Sequence, residues 1–213
     1  MSFYDLTTLP NGLRVITEEM PGIRSAAIGV WLDTGTRDEQ ENEAGASHFL
    51  EHLLFKGSDR LSARQISEAF DAMGAQSNAF TTKEYTCFWV RCLDEDLDRS
   101  LHLLGEMLQR PAFRDVDIDS ERQVVIEEIL MSEDDPEDSA FETFSQAVFA
   151  GHALERPVLG TIGSIEAMTR DDLGGYWKRR YTTGSAVVAV VSALPHERVV
   201  EALAAEFDEW GGD

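Results

Sequence analysis

Cysteine is scarce in this chain, positive charge is outnumbered, and long apolar runs are missing. Two cysteines among 213 residues, Cys87 and Cys92, cannot build a disulfide framework or a zinc-thiolate site. They stand five apart in a segment that reads as one strand, so their side chains point to opposite faces and cannot easily bridge. Both are read as packing residues. No apolar run approaches the length of a membrane span, and the opening MSFYDLTTLPNG lacks the basic-then-apolar pattern of a secretory signal. A cytoplasmic protein with no membrane contact is the expectation. With 18 Lys and Arg against 40 Asp and Glu, the formal net charge is −22, and no basic stripe exists to hold nucleic acid. Such acidity reads first as a solubility device and second as an attraction for peptides carrying Lys or Arg, weakening as salt is raised. An apolar content of 43% is enough for one sizeable core.

Histidine is also rare, with five in the chain, yet two of them stand in HFLEH, residues 48–52. A histidine in a helix is ordinarily a surface or satisfied core residue. The ordered triple is different, since a chance HxxEH is expected in only about one in a hundred chains of this composition. Residues four apart on an α-helix stack over one another, so His48 and His52 can face one ion while Glu51 stays beside it. Two imidazoles do not complete a zinc site; a third ligand is needed. Residues 115–135 lack Gly and Pro, and Val124, Val125, Ile129 and Leu130 recur at helical spacing, which predicts one long helix. On it Glu121 and Glu128 are two turns apart and share a face, while Glu127 is turned by about 100°. Acidic residues on a helix are usually solvated, and periodicity alone does not choose between Glu127 and Glu128.

HFLEH followed by LLFKGS, then NAFTTKEYTCFWV, then ERQVVIEEI resembles the inverzincin metallopeptidases, the family of pitrilysin, insulin-degrading enzyme and the β subunit of mitochondrial processing peptidase. LPNGLRVITEEM resembles that family's opening hairpin, RSAAIGVWLDTGTRDE its strand before the active-site helix, and GSIEAMTRDDLGGYWKRRYTTGSAVVAVVS its closing helix and strand. The resemblance implies one Zn2+ per chain, held by His48, His52 and Glu128; the length of the stretch 53–127 is typical of the family and selects Glu128. It implies Glu51 as general base and Glu121 as a supporting acidic residue of the catalytic apparatus. It also implies that Ser77, Asn78, Ala79 and Phe80 form an edge strand that binds substrate by strand addition. From the residues alone, NAFTT is equally an ordinary strand with a polar face. No position of the metal or base set departs from the pattern, which argues against the family's inactive homologues.

Members of this family carry two homologous halves, of which only the first holds the metal motif. Residues 1–213 are therefore expected to form a single metallopeptidase domain resembling that first half. It would act with a second homologous half, a partner subunit or a second copy of itself, on peptides or unfolded segments. A non-catalytic binding or assembly subunit of the same fold, and a zinc hydrolase of small molecules, are the alternatives.

The residue pattern predicts strands at 4–8, 13–18 and 26–33, the metal helix at 46–55, and a helix capped by Ser62 and ended near Gly74. Extended segments at 75–81 and 85–93 follow, then helices at 97–109, 115–135, 137–150 and 171–180, a strand at 186–191 and a helix at 196–207. The fold class expected is α+β, an antiparallel sheet with helices packed mainly on one face. His102 and His196 read as structural or exposed, and His152 receives no role.

Overall fold

The computed structural model describes residues 4–211. The chain opens with strands β1 (Asp5–Thr8), β2 (Arg14–Glu19) and β3 (Ser25–Leu32), then helices α1 (Ala46–Leu54) and α2 (Ala63–Ala72). Strands β4 (Gln76–Thr81) and β5 (Thr86–Leu93) form a hairpin, followed by α3 (Leu97–Gln109), α4 (Asp115–Asp134) and α5 (Pro136–Val148). Helices α6 (Ile162–Ala167) and α7 (Arg170–Arg180), strand β6 (Ala186–Ser192) and helix α8 (His196–Phe207) complete the order. The protein is α+β, as the pattern predicts.

Six strands form one open sheet in the order β1-β2-β6-β3-β5-β4. Every neighbouring pair is antiparallel except β2 and β6, which run parallel. That pairing joins residues more than 170 positions apart, Arg14 opposite Val187, and no local pattern encodes it. The period-two alternation of β3 buries Ala26, Ile28, Val30 and Leu32 and leaves Ala27 and Trp31 exposed on the other face. Leu50 and Leu54 of α1, Leu101 and Leu104 of α3, and Leu203 and Phe207 of α8 join those strand residues in one hydrophobic cluster. Burying each such side chain contributes about 1.5–3 kcal/mol, so this cluster holds α1 against the sheet.

Ends of helices follow local chemistry. Ser62 accepts the Gln65 N–H and the Gln65 side chain returns to the Ser62 N–H, a capping box that starts α2. Asp135 caps α5 by accepting from Glu137 and Asp138, with Pro136 in the first turn. Helix α5 has no buried residue, although Phe141, Phe144 and Val148 lie along it. Cys87 and Cys92 are free and buried, opposite Trp31 and Ala26 in the β3 register and hence on opposite faces. His196 bridges the Thr7 and Thr17 hydroxyls, His102 meets Glu206 on an exposed face, and the His152 ring accepts the Leu154 N–H. Among the described residues, no helix is long and apolar enough to cross a membrane.

Candidate metal centre

Helix α1 packs on α4 and on β4, and the site lies where these three elements meet. Phe49, Leu50, Leu53 and Leu54 anchor α1 in the core, which leaves His48, Glu51 and His52 on its remaining face, turned to α4 and β4. The Nε2 atoms of His48 and His52 lie 3.6 and 3.4 Å from Oε2 of Glu128 on α4. One ligand atom from each of these three residues falls within 4.8 Å of the others. The two imidazole rings meet at 4.7 Å between centroids and 66° between planes. Glu127 is exposed and outside the cluster, so the rotation of α4 resolves what its periodicity left open.

Glu128 Oε2 is buried without a hydrogen-bond partner among the described residues, and so is His48 Nδ1. An orphaned buried carboxylate oxygen costs free energy, more so beside two imidazole nitrogens that do not donate well to it. Burial, assisted by the nearby His52, pushes the His48 imidazole down to about 4, so its ring is neutral and its lone pair is available. Two imidazole nitrogens and one carboxylate oxygen are a zinc donor set, and these three residues fit a divalent cation.

The residues around this trio have distinct surroundings. His52 Nδ1 donates to Glu121 Oε2 at 3.2 Å, which fixes the tautomer and leaves Nε2 to face the cluster. Glu121 is almost fully buried and its other oxygen meets Lys56 Nζ at 2.6 Å, so it stands behind His52 and outside the ligand trio. Glu51 is also outside the trio. Its Oε2 accepts from the Thr81 hydroxyl at 2.6 Å. Burial raises the Glu51 pKa, the Thr81 bond and His52 oppose that rise, and Glu128 adds to it.

Asn78, Ala79 and Phe80 lie on β4, an edge strand paired only with β5. Ala79 is buried against the helices, whereas Asn78 and Phe80 point to the opposite face, where Phe80 packs edge-on to Trp31 at 5.7 Å. The hairpin bond from Thr82 N to Tyr85 O sets the alternation, which turns the main-chain groups of Ser77, Ala79 and Thr81 to the free edge. There the Ala79 N–H is held by its neighbour's Asn78 Oδ1 at 2.9 Å. A cleft of about 600 Å3 adjoins this strand, lined by Phe55, Lys56, Ile66, Phe70, Ser77 and Asn78 among others. A second hollow of about 620 Å3, lined by none of the trio, lies between the end of α4, α5 and the 157–161 loop.

The sequence model of the insulinase family, peptidase family M16, matches residues 14–162. The chain belongs to this family. It is 44% identical over 205 residues to an uncharacterized zinc protease of Streptomyces coelicolor, covering 96% of this chain and 45% of that one. An uncharacterized zinc protease of Mycobacterium leprae is 47% identical over 194 residues, 91% of this chain and 44% of that one. A protease from Helicobacter pylori has a closely similar structure, with a TM-score of 0.94 at 26% identity over 99% of this chain and 51% of that one. The chain thus spans about half the length of the curated relatives it matches, and their names support a peptidase role in general.

Two residues that touch the site were not singled out from the sequence. Lys56 lies in the turn just past the end of α1, where its ammonium reaches Glu121, the acid behind His52. Thr81 ends the NAFT run, and the strand's two-residue period points its hydroxyl to the same face as Ala79, toward α1.

Proposed function

We propose that this chain is the metal-bearing half of a zinc endopeptidase that hydrolyses peptide bonds in peptides or unfolded segments. One observation carries the reading: the ligand atoms of His48, His52 and Glu128 converge, with an orphaned carboxylate oxygen among them and Glu51 left free beside them. In this reading the three residues hold one zinc ion. When bound there, zinc supplies a Lewis acid that brings the pKa of water towards neutrality and polarises a carbonyl.

Everything else falls to the chain's own groups. Glu51 takes the proton of the attacking water and passes it to the leaving amine, and its raised proton affinity suits both transfers. Thr81 holds one Glu51 oxygen in place, so the base does not swing into the ligand set. Glu121 keeps the His52 ring oriented, with Lys56 balancing its charge. The outward main-chain groups of β4 offer an extended peptide a ladder that ends at Thr81, next to the base, so a strand added there runs directly to Glu51. Pairing at Ala79 displaces the Asn78 side chain that now covers its N–H. The adjoining cleft receives substrate side chains.

A second homologous half completes the enzyme in this reading, supported by relatives about twice this chain's length. Because positioning supplies much of a catalyst's advantage, the chain alone is expected to bind zinc and cleave weakly. Measurement of zinc content together with cleavage of a quenched peptide, with and without the second half, tests the proposal. Glu51→Gln is expected to retain the metal and lose about 10²–10⁴-fold in hydrolysis. Full activity in that variant, or a native protein that takes up no zinc, overturns the assignment.

A further inference from the structure

Helix α1 begins without a cap of its own. Its first turn is preceded by Gly45, which has no side chain to accept the free N–H groups and lies at φ +90°. The acceptor comes from six residues upstream. Glu39 is 3% exposed, and its two oxygens accept separately from Gly45 N at 2.9 Å and Ser47 N at 2.8 Å. Ser47 directly precedes the His48 ligand.

Two further contacts close on the same helix end. The Ser47 hydroxyl meets Tyr176 OH at 2.8 Å, and Tyr176 OH in turn lies 3.1 Å from the Thr34 hydroxyl. The 157–160 loop presses against Gly45 so closely that a Cβ there would fall 2.8 Å from Leu159 O, and one on Gly160 would fall 2.6 Å from Ala44 O. Arg156, from the same loop, donates to the Glu39 backbone carbonyl. The carboxylate itself forms no ion pair among the described residues. Burial raises its pKa to about 7, opposed by the Ser47 and Gly45 N–H bonds and by Arg156. A buried acid that forms no ion pair, its neighbouring guanidinium bound to its backbone carbonyl, is a costly way to start a helix that the core already anchors.

We infer that Glu39 is a positioning residue of the metal centre: it sets the height and rotation of α1, and thereby where the His48 and His52 rings meet Glu128. This rests on the proposed zinc site and adds the residue that holds it in register.

The test compares native protein with Glu39→Gln, which keeps shape but loses one acceptor, and Glu39→Asp, which keeps charge but shortens reach. Zinc affinity is read by competition with a chelator, and local opening by amide hydrogen exchange along α1, α3 and α8. Glu39→Gln is expected to raise the zinc dissociation constant about tenfold or more and to speed exchange in α1 alone, with Glu39→Asp intermediate. The inference is overturned if both variants hold zinc and protect α1 as the native chain does. It is equally overturned if exchange quickens uniformly through α3 and α8, the mark of a merely structural loss. Should Glu39→Gln fail to fold, Glu39→Asp decides by the same two readouts. Absence of zinc from the native protein would sink the peptidase reading, yet the exchange pattern would still decide the role of Glu39.

Discussion

Glu106 and Glu128 are both acids on helices with buried oxygens, and they are treated in opposite ways. Glu106, 1% exposed, accepts from Ser58 Oγ at 2.8 Å and meets Arg60 and Arg110 at 3.2 and 3.1 Å. Every oxygen has an internal donor, so the charge belongs to the fold. Glu128 points an oxygen at two imidazole nitrogens and finds no hydrogen bond there. Burial alone does not mark a site, and neither does a missing donor, since Glu142 Oε1 is buried and unpartnered among the described residues too; the two imidazole nitrogens beside its orphaned oxygen set Glu128 apart. Glu39 lies between the two extremes, satisfied by N–H groups and by no ion pair.

Removing each acid in turn is the strongest way to break this comparison. Glu106→Ala is expected to destabilise the chain by about 1–3 kcal/mol, since the buried Ser58 hydroxyl loses its acceptor, while the more exposed Arg60 and Arg110 can turn to solvent. Zinc affinity of the folded fraction should not move. Glu128→Ala should do the reverse, lowering zinc affinity by more than about a hundredfold, beyond what supporting residues contribute, while metal-free stability stays within about 1 kcal/mol. Denaturant unfolding and chelator competition on the two variants check both halves. Equal effects would erase the distinction.

Glu39 sharpens it through pH. Its pKa is about 7 in the folded chain against an ordinary 4.5, so the native state binds the proton more tightly than the unfolded state between those values. Its contribution to stability is therefore fully present below about pH 4.5, declines as pH rises to about 7, and is flat above. With the metal removed, native protein should lose up to about 3 kcal/mol relative to Glu39→Gln between pH 4.5 and 8. A parallel pair of stability curves would contradict the burial of that charge.

The smallest expected effect is on Glu121. Glu121→Gln keeps the shape behind His52 but weakens its hold on the Nδ1–H, and zinc affinity should fall about 10–100-fold with little change in folding. A loss as large as that of Glu128→Ala would place Glu121 in the ligand set instead.

Much of this arrangement was legible in the residues, because it is local. Pro111 and Pro195 flank the ends of α3 and α8, and both helices fall where the pattern places them. The i, i+4 spacing of His48 and His52 needs only a helix to become a site. What escaped is non-local or short. The parallel pairing of β2 with β6 depends on chain ends meeting, and six-residue α6 is too brief for a periodic signal. Periodicity leaves Glu127 and Glu128 open, the family resemblance picks Glu128, and the packing of α4 against α1 turns Glu128 toward the two imidazoles. Glu39 stands in the acidic run DEQENE, where an acid reads as solvated, and nothing in that run announces that it folds under the start of α1.

X-ray absorption at the zinc edge, with the His48→Ala and Glu128→Ala variants beside the native chain, bears most directly on the central claim. The expected spectrum has two imidazole nitrogens at about 2.0–2.1 Å and a carboxylate oxygen at about 2.0–2.2 Å, with one named ligand lost in each variant. A native spectrum unchanged by either substitution, or a protein that takes up no zinc, would contradict it.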